Sequence, residues 1–572
     1  MSHLLQSLSI LVAIGAPLFA SLAIALLGER HRERSAEIGI VALALSTCAA
    51  LLSLYQLSGD PTPFRLSGPP SSLIPSLLVD RLAAVMMVLI TGVSLVIHVY
   101  SQRYMRDDPG YLRFFGLLSL LTFVLLCLVT SGHLLWLFLS WHAVTWLLRS
   151  LLTFHAGSAA ARQAGRTTLR VHGIGDAAFV CAIMLAYATF HTFDLSELFE
   201  LANGAAGTTV FWEGTWFEIR SVTLITLLLV ITIMTKSAQF PFHVWLAGTI
   251  EAPTPVSAML HAGIVNAGGF LVNRLAPLFG MAPTTLYVLF IVGTLTALIG
   301  AATMLTQSSI KRTLVYSTMG QMGYMIMECG LGAFALAVFH LCAHGLFKAT
   351  LFLNSGSNIH KARTEFKLPD SHSVRDTREF AFLPWLTGLA ITLILPLIIV
   401  LMAHGLVNIP LFETQGTLIF LFFAWVTSAQ ATFSLYRLNA VGSWKVSFTM
   451  VATLTLIGLT YLWAGEAFTH FLYPAPGQVA TYFEAAAWNQ RLFDSIVALS
   501  TFLIVAVWVI LYGKAHGMRL LLPHRLDELR DRLYVALLNG LYVEALLRAA
   551  GATLWRKPGG RRDRRSPEGL AQ

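Results

Sequence analysis

Lys236 has the most unusual setting in this sequence, because it lies in the apolar segment Ile231–Pro241. An ammonium group among apolar side chains is costly, so its presence there indicates a function. Pro241, five residues later, has no N–H group and would leave the carbonyl of Ser237 without its helical partner. A lysine beside a helix break predicts a hydrated ion site, and we favour that interpretation over a side chain that reaches back to a membrane interface.

His340, His344 and Lys348 form a second set, spaced so that they share one face of a helix. Imidazole changes its charge near neutral pH, so this stripe suits a relay of protons. Two histidines four residues apart could also bind zinc. No carboxylate or cysteine is spaced to complete such a site, so we expect no metal here.

His261 follows a proline-containing segment that begins at Glu251. Pro253 and Pro255 suit the start of a helix, where a missing N–H costs nothing. His261 then lies inside the apolar run that follows, which makes it a further candidate for proton transfer.

Asp176, His142 and Arg149 are three more ionisable residues in apolar runs. Asp176 needs a partner, and Lys236 or Arg149 could provide one. His142 and Arg149 are seven residues apart and so share a helix face. Each could be a satisfied structural group. Five predicted spans carry ionisable residues at depth, however, and that set favours a proton path.

Composition predicts the elements that hold these residues. Only 12% of the 572 residues are charged and 56% are hydrophobic, whereas a soluble protein carries roughly 25% charged residues. This excludes an ordinary soluble enzyme and a disordered chain, and argues against nucleic-acid binding. The sequence predicts an all-α polytopic membrane protein.

About fifteen apolar runs are long enough to span a bilayer. Their predicted extents are 4–27, 36–57, 79–101, 113–131, 133–153, 169–191, 220–246, 254–277, 284–306, 312–330, 332–354, 380–404, 415–437, 446–464 and 494–513.

Most of the 38 basic residues follow odd-numbered spans or lie in the C-terminal tail. The positive-inside rule therefore places the N-terminus outside and the C-terminus in the cytoplasm, as expected for a protein of the plasma (inner) membrane. The stretch 526–555 is amphipathic and 556–565 is basic. That tail is either an interfacial helix attracted to lipid or a docking helix for a cytoplasmic partner.

The sequence predicts no cofactor in this chain. The five cysteines include no C-x-x-C pair, and no nucleotide-binding glycine motif is present.

Five segments resemble the antiporter-like subunits of respiratory complex I and of the multisubunit sodium/proton antiporters. They are Thr235–Leu246, Glu251–Ala262, Ile310–Tyr324, Phe339–Leu353 and the Arg170 to Ala177 region. The resemblance covers about residues 79–360. It implies two inverted five-helix repeats, at 113–277 and 278–440, each with a broken helix, at Pro241 and near Pro396. Residues 1–112, 441–515 and 516–572 would flank the repeats.

The resemblance also implies roles for individual residues. Lys236 would be the central proton-carrying lysine, and His261, His340, His344 and Lys348 would line the path. Glu251 and Lys311 belong to the matching motifs and are candidate path residues.

Three departures from the family pattern stand out. His142 follows Trp141 where the family has a glutamate that modulates the central lysine, and the run around Pro396 has no charge before His404. Ser309 replaces a usually acidic residue. With these departures the sequence resembles the membrane subunits of the DAB inorganic-carbon accumulation complexes, which are a divergent branch of the same family. That resemblance implies a large cytoplasmic-side partner with a zinc site like that of a β-carbonic anhydrase.

We therefore expect an ion-conducting subunit in which protons, or sodium ions, move through Lys236 and drive conversion of CO2 to bicarbonate in the partner. The alternative is a pump or antiporter subunit of complex I or of a multisubunit antiporter. A third hypothesis is a non-conducting anchor that recruits a soluble enzyme through its C-terminal helix.

Overall fold

A computed structural model describes residues 2–66, 76–155, 157–204, 210–211, 219–364, 463–475, 477–489 and 524–546, with scattered positions between 386 and 509. The chain divides into two compact units, Met1–Leu521 and Leu522–Gln572. The predicted all-helical membrane architecture is confirmed. In the described part, nine helical segments are long and apolar enough to cross a membrane, with the interrupted segment Thr254–Arg274 counted as one.

The first unit contains α-helices, among them a helical segment at 463–472, and two short antiparallel sheets. In chain order the elements are α1 (Ser2–Leu27), α2 (Arg32–Gly59), β1 (Phe64–Leu66), β2 (Leu77–Val79), α3 (Arg81–Tyr104), α4 (Tyr111–Val129), α5 (Leu134–Leu152), α6 (Ala159–Phe190), α7 (Leu195–Asn203), β3 (Val210–Phe211), β4 (Ile219–Arg220), α8 (Ser221–Lys236), α9 (Val244–Ala247), α10 (Thr254–Ala262), α11 (Ala267–Arg274), α12 (Ala276–Gly280), α13 (Pro283–Thr306), α14 (Ile310–Gly330), α15 (Phe334–Thr364) and α16 (Gln478–Ala485). Strand β1 pairs with β2, and β3 with β4.

The first eleven predicted spans correspond to described helices, with corrections at three ends, one of them the end of α8 at Lys236. Helix α6 begins at Ala159, ten residues before the predicted start, because Ser158 caps its first turn. Helix α15 continues to Thr364, past the predicted end. Predicted spans 12 to 15, including Pro396 and His404, lie almost wholly outside the described residues. The domain boundaries and the two repeats stay predictions.

Helix α8 ends at Lys236, and this corrects the expectation that Lys236 lies well inside a helix. Ala238 has a φ of 49°, and the Phe240–Pro241 peptide is cis. The carbonyl of Ser237, which Pro241 was predicted to leave unpaired, accepts a hydrogen bond from Gln239 Nε2 at 2.9 Å. A side-chain amide thus satisfies the backbone at the break.

The eighth predicted span is also broken, which was not predicted. Helix α10 ends at Ala262, a 3-10 turn covers Ile264–Asn266, and α11 begins at Ala267. Asn266 Nδ2 donates to the carbonyl of Ala262 at 2.7 Å. Ser237 Oγ donates to the carbonyl of Val265 at 2.6 Å and accepts from the Gly268 amide at 3.0 Å. One hydroxyl therefore joins the two breaks.

Helices α13 and α14 meet backbone to backbone. A Cβ at Gly323 would lie 2.7 Å from the carbonyl oxygen of Gly293, so only glycine fits there. This contact fixes the position of α14 against α13.

Arg274 is buried at the end of α11. Its Nη1 lies 2.7 Å from Asp80 Oδ2, and its Nη2 donates to the carbonyl of Val129 at 2.9 Å. Pairing explains how this arginine is tolerated inside the protein. Asp80 also caps α3 by accepting from the Ala83 amide.

The second unit contains α17 (His524–Leu538) and a 3-10 turn at Gly540–Tyr542. The predicted amphipathic stretch is therefore helical in its first half but bends where Leu541 and Tyr542 adopt positive φ. Leu529 and Leu533 are exposed within this unit. The basic run 556–565 lies outside the described residues.

Candidate functional site

Lys236 is completely buried at the C-terminal end of α8. Its Nζ donates to the carbonyl of Trp141 at 2.8 Å and to Thr145 Oγ1 at 2.6 Å. It also lies 4.9 Å from the centre of the Trp141 ring. Hydrogen bonds, the ring face and the negative end of the α8 dipole all favour a cation at this position.

His172 is a member of this cluster that the sequence analysis missed. It is buried on α6, and its Nδ1 lies 3.2 Å from the same Thr145 hydroxyl that accepts from Lys236. Its Nε2 has no protein partner in the described part of the chain. The signal in the sequence was its position four residues before Asp176, on the same face of α6.

Asp176 pairs with His142, not with the expected Lys236 or Arg149. His142 Nδ1 lies 2.7 Å from Asp176 Oδ2, and His142 Nε2 accepts from Trp146 Nε1 at 2.8 Å. An indole N–H can only donate, so Nε2 carries no proton and Nδ1–H donates to the carboxylate. Asp176 acts on Lys236 through its charge across a longer distance.

Gly175 allows α6 to approach α8 beside this cluster. A Cβ at Gly175 would overlap Thr235 Oγ1, and Thr232 Oγ1 donates to the Gly175 carbonyl at 2.9 Å. The residue before Asp176 must therefore be glycine for the two helices to meet there.

His261, His344 and Lys348 are all buried and lie on α10 and α15. The His261 ring stacks on Phe352, with ring centres 4.3 Å apart. Lys348 Nζ donates to Ser317 Oγ at 2.8 Å. Both nitrogens of His261 and of His344 lack a protein partner among the described residues. Buried polar atoms are normally hydrogen-bonded to protein or to water, so this region suits hydration.

His340 contacts a buried acid that the sequence analysis also missed. Its Nδ1 lies 3.0 Å from Glu328 Oε2 on α14, and its Nε2 lies 2.9 Å from Gln321 Oε1. Glu328 is 4% exposed. Its presence inside an apolar predicted span was the available signal.

Three predicted path residues lie apart from these buried groups. Glu251 is exposed in a 3-10 turn that precedes α10, although it was expected at the helix start. Lys311 is half-buried in the first turn of α14. Arg149 lies near the end of α5, where its guanidinium is 5.6 Å from the Trp146 ring. Pro253 and Pro255 stand at the start of α10, as expected.

The arrangement can store and pass protons. Lys236, Thr145 and His172 form one hydrogen-bonded group, and His261, His344 and Lys348 lie close enough to interact electrostatically. No group of three or more histidine, cysteine or carboxylate side chains suited to a metal is found within the described ranges.

Two family patterns match the sequence. "NADH:quinone oxidoreductase/Mrp antiporter, TM" matches residues 131–407, and "NADH-Ubiquinone oxidoreductase (complex I), chain 5 N-terminus" matches residues 71–115. The first match contains every buried ionisable group described above.

Curated relatives include the "Probable inorganic carbon transporter subunit DabB1" of Halothiobacillus neapolitanus. It is 40% identical over 93% of this chain and 94% of its own length. "NADH-ubiquinone oxidoreductase chain 5" of Chondrus crispus is 40% identical over 50% of this chain, but the match covers only 43% of that protein. "NADH-quinone oxidoreductase subunit L" of Neisseria meningitidis is 38% identical over 54% of this chain and 46% of its own length.

Two solved structures share the fold. A chain of the Mrp complex from Dietzia sp. DQ12-45-1b superimposes with a TM-score of 0.61 and 22% identity, over 96% of this chain and 59% of that chain. A chain of the membrane-bound sulfane sulfur reductase, described as an archaeal respiratory membrane complex, gives a TM-score of 0.56 at 19% identity, over 89% and 98%. These likenesses support the antiporter-like architecture.

Proposed function

The chain belongs to the family of antiporter-like, proton-translocating membrane subunits found in respiratory complex I and the Mrp antiporters, and we propose that it is the energy-coupling subunit of an inorganic-carbon uptake complex. Its observed basis is the buried Lys236, held by a carbonyl and a hydroxyl at the end of a broken helix. The near full-length similarity to DabB1 directs the proposal to carbon uptake and away from respiration.

Proton movement begins at the Lys236 cluster. Thr145 Oγ1 accepts from Lys236 Nζ and can donate its own proton to His172 Nδ1. One proton passes from Nζ to Oγ1 while the hydroxyl proton moves to the imidazole. The result is a neutral amine and an imidazolium, with no net change in charge.

His142 and Asp176 take the place of the family's glutamate. In this chain the modulating negative charge belongs to Asp176 on α6, and His142 orients it by donating from Nδ1. Protonation of His142 at Nε2 would break the bond from Trp146 and change the charge that acts on Lys236.

The proton flux is coupled to a cytoplasmic-side partner that carries a zinc site like that of a β-carbonic anhydrase. There CO2 and water give bicarbonate and a proton, and the flux makes this reaction directional. This chain supplies the ion path and carries no cofactor of its own. The protein resides in the plasma (inner) membrane, with its N-terminus outside and C-terminus in the cytoplasm, and protons are the coupling ion.

Lys236→Ala in cells that depend on this protein tests the proposal. We expect carbon accumulation to fall by about 100-fold, the scale on which a positioned proton-transfer group contributes. Arg103→Ala is the control, because this exposed arginine at the end of α3 lies away from the buried groups. Undiminished accumulation by Lys236→Ala at a normal protein level would refute the coupling role.

Purification of the tagged chain with mass spectrometry tests the partner. A single large zinc protein is the expected companion. A set of respiratory or Mrp subunits would instead support the alternative, a pump or antiporter subunit, and would overturn the carbon-uptake assignment.

A further inference from the structure

We propose that Glu328 and His340 form a second proton-binding site, which exchanges protons with a cavity on the side of the protein where α3 begins. The proposal rests on the proposed proton conduction and adds to it a residue, Glu328, and a route. In the predicted orientation this side is the outer one.

Glu328 and His340 form a buried pair of a carboxylate and an imidazole, two groups that can each bind a proton. His340 Nδ1 is 3.0 Å from Glu328 Oε2, and both side chains are buried between α14 and α15. Glu328 Oε1 is buried and has no protein partner among the described residues. A carboxylate with one oxygen paired and the other oxygen unsatisfied is costly as a purely structural element, because such a group carries its full desolvation penalty.

Gln321 lets the pair hold different numbers of protons. Its Oε1 faces His340 Nε2 at 2.9 Å, so both ring nitrogens face acceptors, as suits an imidazolium beside a carboxylate. Rotating the amide by half a turn would present its –NH2 group instead and suit the neutral ring. The Gln321 amide can thus form a hydrogen bond with either the protonated or the neutral ring of His340.

A cavity of about 440 Å³ reaches close to Cys329, the residue next to Glu328, and provides the route. Asn273 and Tyr473 form part of its wall. Asn273 Nδ2 lies 3.9 Å from Cys329 Sγ, and Tyr473 Oη lies 3.5 Å from Asn273 Oδ1. One layer of polar side chains therefore separates the cavity from the residue next to Glu328.

Charged side chains of both signs line the cavity. Its charged lining groups are Arg65, Asp80, Arg81, Glu200 and Arg274. His340 on α15 contacts Glu328, and Cys329 is the next residue on α14. His340 also lies beside Tyr324 and His344, and Arg274, Asp80 and Tyr473 line the cavity. Asp80 already neutralises Arg274, so His340 is the titratable partner in contact with Glu328.

Proton flux through the full-length protein in liposomes tests the proposal. We expect Glu328→Gln to lower the flux by about 10-fold or more. The flux should also lose its dependence on the pH of the cavity side while keeping its dependence on the other side. Glu466→Gln is the matched control, because Glu466 pairs with His470 on an exposed helix turn.

A second variant keeps the proposal testable if Glu328→Gln does not fold. Asn273→Leu retains Glu328 but removes the polar side chain between Cys329 and the cavity. We expect the flux to lose its dependence on the pH of the cavity side only, as in Glu328→Gln. Wild-type flux and pH dependence in either folded variant would overturn the second site. If Lys236→Ala still abolishes flux in that case, only this inference fails. If Lys236→Ala is silent, the proposed function itself fails.

Discussion

Lys236 is held by neutral groups, and this makes its charge easy to change. Hydrogen bonds to a charged group contribute about 1.5–3 kcal/mol each, and a buried cation over an aromatic ring gains about 2 kcal/mol. These gains oppose a desolvation cost of several kcal/mol for a buried ion. Because neither side of this balance dominates, small changes at Thr145 or Trp141 decide whether the ammonium persists.

Thr145→Val tests this balance, since valine has nearly the same shape but no hydroxyl. We expect proton flux to fall by about 10-fold or more, because Lys236 loses an acceptor and His172 loses its link to Lys236. Flux in liposomes is the measurement. Thr91→Val is the control, because the buried Thr91 hydroxyl bonds only to carbonyls of its own helix. Equal flux in both variants would contradict the relay.

At the scale of helices, the sequence predicted the spans, which depend on the length of an apolar run. It missed a helix break that depends on contacts with a neighbouring segment. The first eleven spans follow from apolar runs, and the missing N–H of Pro241 predicts the break after α8. The break at Gly263 carried no such signal, because glycine also occurs inside membrane helices. It depends on Ser237, a residue from another helix, to satisfy the backbone.

The same contrast holds for the candidate site. Lys236, His340 and Lys348 stood out because charges in apolar runs are costly. The pairing of Asp176 with His142 could not be predicted, because it depends on how α5 packs against α6. The partners of Lys236 are a backbone carbonyl and a threonine hydroxyl, and neither is distinctive in a sequence.

Gly175→Ala tests the contact between α6 and α8. The added methyl group would overlap Thr235 Oγ1, and we expect the overpacking to destabilise the protein by about 1–3 kcal/mol. Thermal unfolding in detergent measures this as a lower Tm. Removing the opposing hydroxyl in the Gly175→Ala/Thr235→Ala double variant should restore part of the loss.

Gly173→Ala is the control for that experiment. It lies on the same helix, and a Cβ there meets nothing within 4 Å. Because alanine has the higher helix propensity, Gly173→Ala should leave the Tm unchanged or raise it. A similar fall in both variants would show that the contact with Thr235 does not control stability here.

For the whole molecule, the distribution of charge is more informative than the net value of +9. Most basic residues determine the topology in the predicted orientation. Of the ionisable groups left inside, Arg274 is paired with Asp80, whereas those around Lys236 and Lys348 are proposed to conduct. Conduction and partner binding should then be separable, because the ionisable groups lie in the first unit and the amphipathic helix in the second. A chain that only anchored an enzyme would need its membrane helices and the second unit, but not the buried ionisable groups.

Truncation after Tyr512 separates these two roles. Helix α17 exposes Leu529 and Leu533 within its unit, and apolar side chains in such an arrangement favour a partner helix or a membrane surface. We expect the truncated chain to reach the membrane but to lose both its partner and carbon accumulation. Lys236→Ala should instead keep the partner and lose only accumulation. Co-purification and carbon uptake measure the two effects, and removal of residues 556–572 alone controls for the basic tail.

If the truncated chain retained both its partner and carbon uptake, the partner would dock on another part of the chain. If Lys236→Ala were silent while truncation abolished uptake, the chain would be the non-conducting anchor.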